Sequence, residues 1–168
     1  MQSIRHLVFA AALVLLTVPA LAHDIVRRAD SALPIATSVL VPAGSDVLFV
    51  GGTLPDVANP AAPAGSAERI GDTAAQAHSV LDKIAAELEA QGFAMSDVVK
   101  MNVFLVGDPN RGGMADYAGL MSAWLKYFGK EEKGLPARTT MQVAGLAVPG
   151  ALVEIEVIAA RSGDHPHD

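Results

Sequence analysis

The apolar positions change period several times along the chain, and each change marks an element. Thr37-Ser38-Val39-Leu40-Val41 is a short β-branched run, Pro42-Ala43-Gly44-Ser45 has turn chemistry, and Asp46 to Val50 reads as a second strand ended by Gly51-Gly52. Leu54 to Gly65 is rich in Pro, Ala and Gly and is expected to be a loop. Ala74, Ala77, Leu81, Ile84 and Leu88 then recur at spacings of 3, 4, 3 and 4, which is one stripe of a helix with Asp72 as N-cap and Gly92 as stop. A third strand is predicted over Asp97 to Val106. Val99, Met101, Val103 and Leu105 give it one apolar face, while Phe104 and Val106 make the other partly apolar, before Asp108-Pro109-Asn110 breaks it. Met114, Tyr117, Met121, Trp124 and Phe128 repeat the helical spacing, and this Met and aromatic stripe reads as core packing. After a charged loop from Lys130 to Gly134, Arg138 to Leu146 and Ala151 to Ala159 read as two strands joined by a turn containing Pro149-Gly150.

The order β-β-α-β-α-β-β predicts an α+β fold, a sheet covered on one face by two helices. Phe104, Val106, Leu152 and Ile158 are expected on the opposite face, and such a patch suits an oligomer interface better than bare surface. No internal repeat interrupts this order.

The start of the chain carries a different signal. Arg5 and His6 precede an apolar run from Leu7 to Val18, and Pro19-Ala20-Leu21-Ala22 supplies a small-x-small site. This is the layout of a secretory signal peptide over residues 1–22, cut after Ala22, and the run is shorter than the roughly 20 apolar residues of a membrane span. Residues 23–34 read as a flexible lead-in, 35–161 as a single domain and 162–168 as a polar tail. The expectation is a periplasmic or secreted protein with no membrane association once the signal is removed. Cysteine is absent, which suits an oxidising compartment and excludes thiol nucleophiles, thiolate metal sites and disulfides.

Composition narrows the chemistry further. The chain has 168 residues, 51% apolar and 18% charged, with a net charge of −6 and no Lys/Arg cluster. That allows one substantial core and argues against a nucleic-acid surface, whose affinity would come from neutralising phosphates. Gly51-Gly52 and Gly112-Gly113 lack the spacing of a phosphate-binding loop, and no Ser occupies a nucleophile elbow. No metal site and no cofactor are expected: His165 and His167 read as parts of a solvated tail, and His78 as a structural histidine. Two strand charges remain. Arg138 shares a face with Thr140 and Gln142, and Glu154 and Glu156 share one with Leu152 and Ile158. Arginine grips a carboxylate through two parallel hydrogen bonds, and a nearby carboxylate can hold or deprotonate water, so the pair suggests a site for a small anionic metabolite. The alternative is that Arg138 is merely the salt-bridge partner of the Glu residues.

Gly51-Gly52-Thr53-Leu54-Pro55, Gln76, Asp97-Val98-Val99-Lys100 leading to Val103-Phe104-Leu105, Asp108, Phe128, Pro136-Ala137-Arg138-Thr139-Thr140 and Val153-Glu154-Ile155-Glu156-Val157-Ile158-Ala159 occur in the order in which the Rid (reactive intermediate deaminase, YjgF-type) family has such motifs. The sequence resembles that family over roughly Ile35 to Ala160. The resemblance implies a chorismate-mutase-like α+β fold with a mixed sheet, a homotrimer with sites in the clefts between subunits, and hydrolysis of 2-imino or 2-enamino acids to 2-oxo acids and ammonia without metal or organic cofactor. It further implies that Arg138 holds the substrate carboxylate, that Glu154 positions the attacking water, that Thr140 lines the site and that Gly51-Gly52 close the pocket. Ser38 and Met121 fall at substrate-binding positions where the family usually has tyrosine and asparagine, Trp124 replaces a tyrosine, and Gly51 replaces a serine. A non-catalytic small-carboxylate binding protein of the same fold is the alternative function, and composition neither supports nor excludes a holdase. If the last two strands formed a simple hairpin, Arg138 would lie opposite Ile158, about 13 Å along the strand from Glu154. The pair would then need a long substrate, a non-hairpin arrangement, or contributions from different subunits, of which the last is favoured.

Overall fold

The computed structural model describes residues 24–30, 32–129 and 134–163. The predicted signal segment, most of the charged loop and the end of the polar tail with His165 and His167 lie outside the described residues. Within the stretch read as a lead-in, Val26–Arg28 form a strand, β1, which pairs antiparallel with β2 (Ser38–Leu40). Arg27 ties this hairpin down by donating to the carbonyls of Ser96 and Val98. The lead-in expectation is corrected to that extent.

The remaining strands are β3 (Asp46–Thr53), β4 (Val98–Val106), β5 (Ala137–Val143) and β6 (Val153–Arg161), in the sheet order β3-β6-β4-β5. β6 runs antiparallel to both β3 and β4, whereas β5 runs parallel to β4. The sheet is therefore mixed, and the predicted hairpin of the last two strands is corrected: β4 lies between them. A parallel neighbour requires a crossover, and the helix between β4 and β5 supplies it. β3 also continues through Gly51-Gly52 with a register shift instead of ending there.

A short helix, α1 (Ala67–Ile70), precedes α2 (Thr73–Ala90) and α3 (Tyr117–Phe128). Asp72 caps α2 by accepting from the Ala75 amide, and Gly92 follows the helix end with φ +75°. Met101, Val103 and Leu105 of β4, Val153, Ile155 and Val157 of β6, and the stripe Ala77, Leu81, Ile84 and Leu88 of α2 are buried in one cluster. Burying each large side chain contributes about 1.5–3 kcal/mol. The second helical stripe is shifted from the sequence expectation. Met114 and Tyr117 are 69% and 50% exposed, and the buried face is Leu120, Ala123, Trp124 and Phe128. Asp116 is the N-cap, so Met114 precedes the helix and Tyr117 opens it on the solvent side. Leu152, expected on the sheet face away from the helices, is instead in the core cluster. The fold is the expected α+β class, a mixed sheet with α2 and α3 on one face.

Candidate functional site

Register decides where each candidate side chain points. Arg138 of β5 pairs with Met101 of β4, whose side chain is buried beneath the helices, so Arg138 projects from the helix-covered face. Its guanidinium lies over the ring of Trp124, 4.2 Å from the centroid, and Nη1 donates to the sulfur of Met121 at 3.4 Å. Trp124 is a fixed shelf: it is fully buried, its indole N–H donates to the Pro34 carbonyl at 3.0 Å, and Phe128 stacks 4.3 Å away. Burial lowers the Arg138 pKa from its ordinary value, and a guanidinium remains charged in proteins. Among the described residues no carboxylate pairs with Arg138. A half-buried cation held, among the described residues, by an indole face and a thioether retains donors suited to a carboxylate. Thr140 stands two residues further on the same face, with its hydroxyl buried and without a hydrogen-bond partner among the described residues.

Glu154 is positioned differently. It pairs with Phe104 of β4 and projects, with Glu156 and Ile158, from the opposite face of the sheet. Its carboxylate lies against the backbone of Gly52, so close that a Cβ on Gly52 would fall onto Oε1. Gly52 and Glu154 are therefore in direct contact, with Gly51 beside them in β3. The start of β6 is held by Gln76, which is fully buried: its Nε2 donates to the Gly71 and Gly150 carbonyls, and its Oε1 accepts from the Leu152 amide at 2.7 Å. Glu156 accepts from Asn102 at 2.8 Å. The alternative in which Arg138 serves as ion-pair partner of the two Glu residues is thus not realised.

Two separate clusters result. Arg138, Thr140 and Met121 cluster beneath α3, and Gly51, Gly52 and Glu154 cluster at the β3–β6 edge. One chain does not bring them together. Met101 and Phe104, their partners on β4, are three residues apart, β4 separates the strands, and the side chains leave opposite faces, so their Cα atoms are separated by about 10 Å in each direction of the sheet. Ser38, on the exposed β2, lies in the hairpin beside β5, joined through the Ala36–Ala137 bridge. A cavity of about 590 Å³ between the α2 N-terminus and the loop before β6 contains none of these residues and no cationic side chain. Sequence reasoning assigned Trp124 to the core and missed its second role beneath the guanidinium. The signal lay in the pairing of β5 with β4, which sets Arg138 on the α3 side.

The family model described as Endoribonuclease L-PSP matches residues 32–161. The chain is 32% identical over 126 residues to the 3-aminoacrylate deaminase RutC of Acinetobacter baylyi, covering 75% of this chain and 88% of that one. It is 38% identical over 90 residues to the 2-iminobutanoate/2-iminopropanoate deaminase of Escherichia coli, covering 54% of this chain and 65% of that one. A RutC family protein of Pyrococcus horikoshii is 37% identical over 89 residues; that match spans 53% of this chain and 63% of the relative's length. Among solved structures, E. coli TdcF with bound serine has a TM-score of 0.54 at 29% identity over 81% of this chain and 94% of that one. The E. coli YjgF gene product has a TM-score of 0.53 at 35% identity over 72% and 84% of the two chains. With the family model spanning both clusters and the sheet that carries them, the chain belongs to the Endoribonuclease L-PSP family, the YjgF or Rid family.

Proposed function

We propose that this protein is a hydrolytic deaminase of small 2-imino and 2-enamino acids, yielding 2-oxo acid and ammonia. The observation that carries this reading is the half-buried guanidinium of Arg138 on its indole shelf, without a carboxylate partner among the described residues, which suits a substrate carboxylate. The names of the relatives, 3-aminoacrylate deaminase and 2-iminobutanoate/2-iminopropanoate deaminase, support the reaction class. A protonated imine carbon is already electrophilic, so positioning and one carboxylate suffice. Glu154 takes a proton from water as its oxygen bonds to that carbon and returns it to the nitrogen; the carbinolamine then collapses, its hydroxyl proton passing to Glu154 as the C=O bond forms and the C–N bond breaks, and that proton leaves with ammonia as ammonium. Because one chain directs Arg138 and Glu154 away from each other, the working site joins Arg138 of one subunit to Gly52 and Glu154 of another in a homotrimer. The chain acts after export and removal of residues 1–22.

The test is ammonia release from an imine generated by an amino-acid oxidase. Wild type is expected to accelerate it over buffer, and Arg138→Ala to lose about 100-fold or more in kcat/KM, the equivalent of two charge-assisted hydrogen bonds. No acceleration by wild type overturns the reading. The alternative is a non-catalytic binder of small carboxylates, favoured by Met121 occupying a donor of Arg138; stabilisation by 2-oxo acids with no turnover would establish it.

A further inference from the structure

The wall beside the cation differs from its floor. Trp124 is fully buried beneath Arg138, so it fixes the guanidinium but offers no surface to a ligand. Met121 stands one turn earlier on α3, is only partly buried, and lays its sulfur within 3.4 Å of Nη1. Among the described residues the guanidinium has no other hydrogen-bond partner, and the hydroxyl of its cluster, Thr140 Oγ1, is buried with no surface open to a polar substituent of a bound acid. A thioether is a weak acceptor and no donor, so a hydroxyl or amide brought against it loses water without replacement, whereas methylenes lose only unfavourable hydration. Methionine is also unbranched and rotatable, and it adapts to shape.

Resting on the reading of Arg138 as the carboxylate anchor, we propose that Met121 determines substrate class, selecting 2-imino acids with extended apolar side chains over those with small or polar ones. The selection is by polarity and length, not by shape: linear and branched chains of equal carbon number are accepted alike. Each methylene that reaches the thioether strengthens binding about fourfold. Trp124 contributes through the orientation of Arg138 alone, so an aromatic side chain gains nothing beyond its apolar area.

Binding of the 2-oxo acid products tests this without requiring turnover. Calorimetric titration of the purified, processed protein with pyruvate, 2-oxobutanoate, 2-oxopentanoate, 2-oxohexanoate, 4-methyl-2-oxopentanoate and 3-hydroxypyruvate is expected to give a Kd that falls along the linear series. 4-Methyl-2-oxopentanoate should bind as 2-oxohexanoate does, and 3-hydroxypyruvate no more tightly than pyruvate. Met121→Leu should keep the slope, and Met121→Gln should flatten it and improve 3-hydroxypyruvate relative to 2-oxobutanoate. A flat series in wild type overturns the proposal by itself, whatever becomes of the variants, as does a slope unaltered in folded Met121→Gln. Turnover of imines with a flat series sinks this inference and spares the deaminase; a sloped series without ammonia release does the reverse. If no 2-oxo acid binds, this inference falls, and ammonia release alone decides the deaminase.

Discussion

At Gly52 a single methyl group decides whether Glu154 can occupy its place. The Cβ of an alanine there would land on the Glu154 carboxylate, while the same addition at Gly51 meets nothing within 4 Å. Neither glycine has a positive φ, so the difference is one of space rather than backbone freedom. Gly52→Ala is expected to cost about 1–3 kcal/mol of stability, as overpacking does, and Gly51→Ala far less. Urea denaturation provides the comparison. The double variant Gly52→Ala/Glu154→Ala removes the obstructing carboxylate and is expected to recover most of the loss, because the two residues are in contact and their effects do not add. Full additivity of the two substitutions would mean that Glu154 does not rest on Gly52. Arg138 illustrates the complementary case, in which space has been filled by groups that leave the charge unneutralised.

Between α2 and α3, Asp82 accepts from Lys126 at 2.7 Å and from the Tyr127 hydroxyl on the same carboxylate oxygen. Those hydrogen bonds, Lys126 first, lower the Asp82 pKa, whereas burial and then the bond to Asp82 raise that of Tyr127. The signs are opposite. The Asp82 contribution is fully present above the ordinary carboxylate value of about 4 and disappears as pH falls through the lowered one; the Tyr127 contribution is present below about 10 and disappears as pH rises through the raised one. Asp82 is more than half exposed, so solvent screens the cluster and its contribution is small. Asp82→Asn should therefore lower the urea midpoint slightly between pH 5 and 9, about the plateau set by those values, with the gap from wild type closing on acidification. A gap that persists into strong acid would assign the loss to packing instead. At this scale the sequence was readable where period and cap agree: Asp72, the α2 stripe and Gly92 delimit one helix within two residues. It misled at α3, because Met114 and Tyr117 continue the spacing arithmetically although Asp116 caps the helix behind Met114. The strand partners were not readable. β6 enters between β3 and β4 across long sequence separations, and no local turn chemistry records which strand a neighbour will join.

Across the whole molecule, both candidate acid–base and anion-binding groups were named from the sequence and its resemblance, but their relation to each other required the sheet. The face carrying Glu154 also carries Phe49, 74% exposed, with Val47 and Met141 partly exposed, around a polar centre of Lys100, Asn102 and Glu156. Covering those apolar groups with a second copy would also provide the missing half of each site, so association and activity are one requirement under the proposed function. Subunit mixing tests that link. Arg138→Ala retains an intact Glu154 half-site and Glu154→Gln an intact Arg138 half-site, so each homo-oligomer is expected to be inactive. When the two are unfolded together and refolded at equal amounts, random assembly in a closed ring places an intact Arg138 beside an intact Glu154 at about a quarter of the interfaces, and activity should return to about that share of wild type. Mixing the folded variants without exchange should restore none. If the refolded mixture stays inactive while refolded wild type regains its rate, the two half-sites do not meet across a subunit boundary, and the arginine and glutamate cannot act on one substrate.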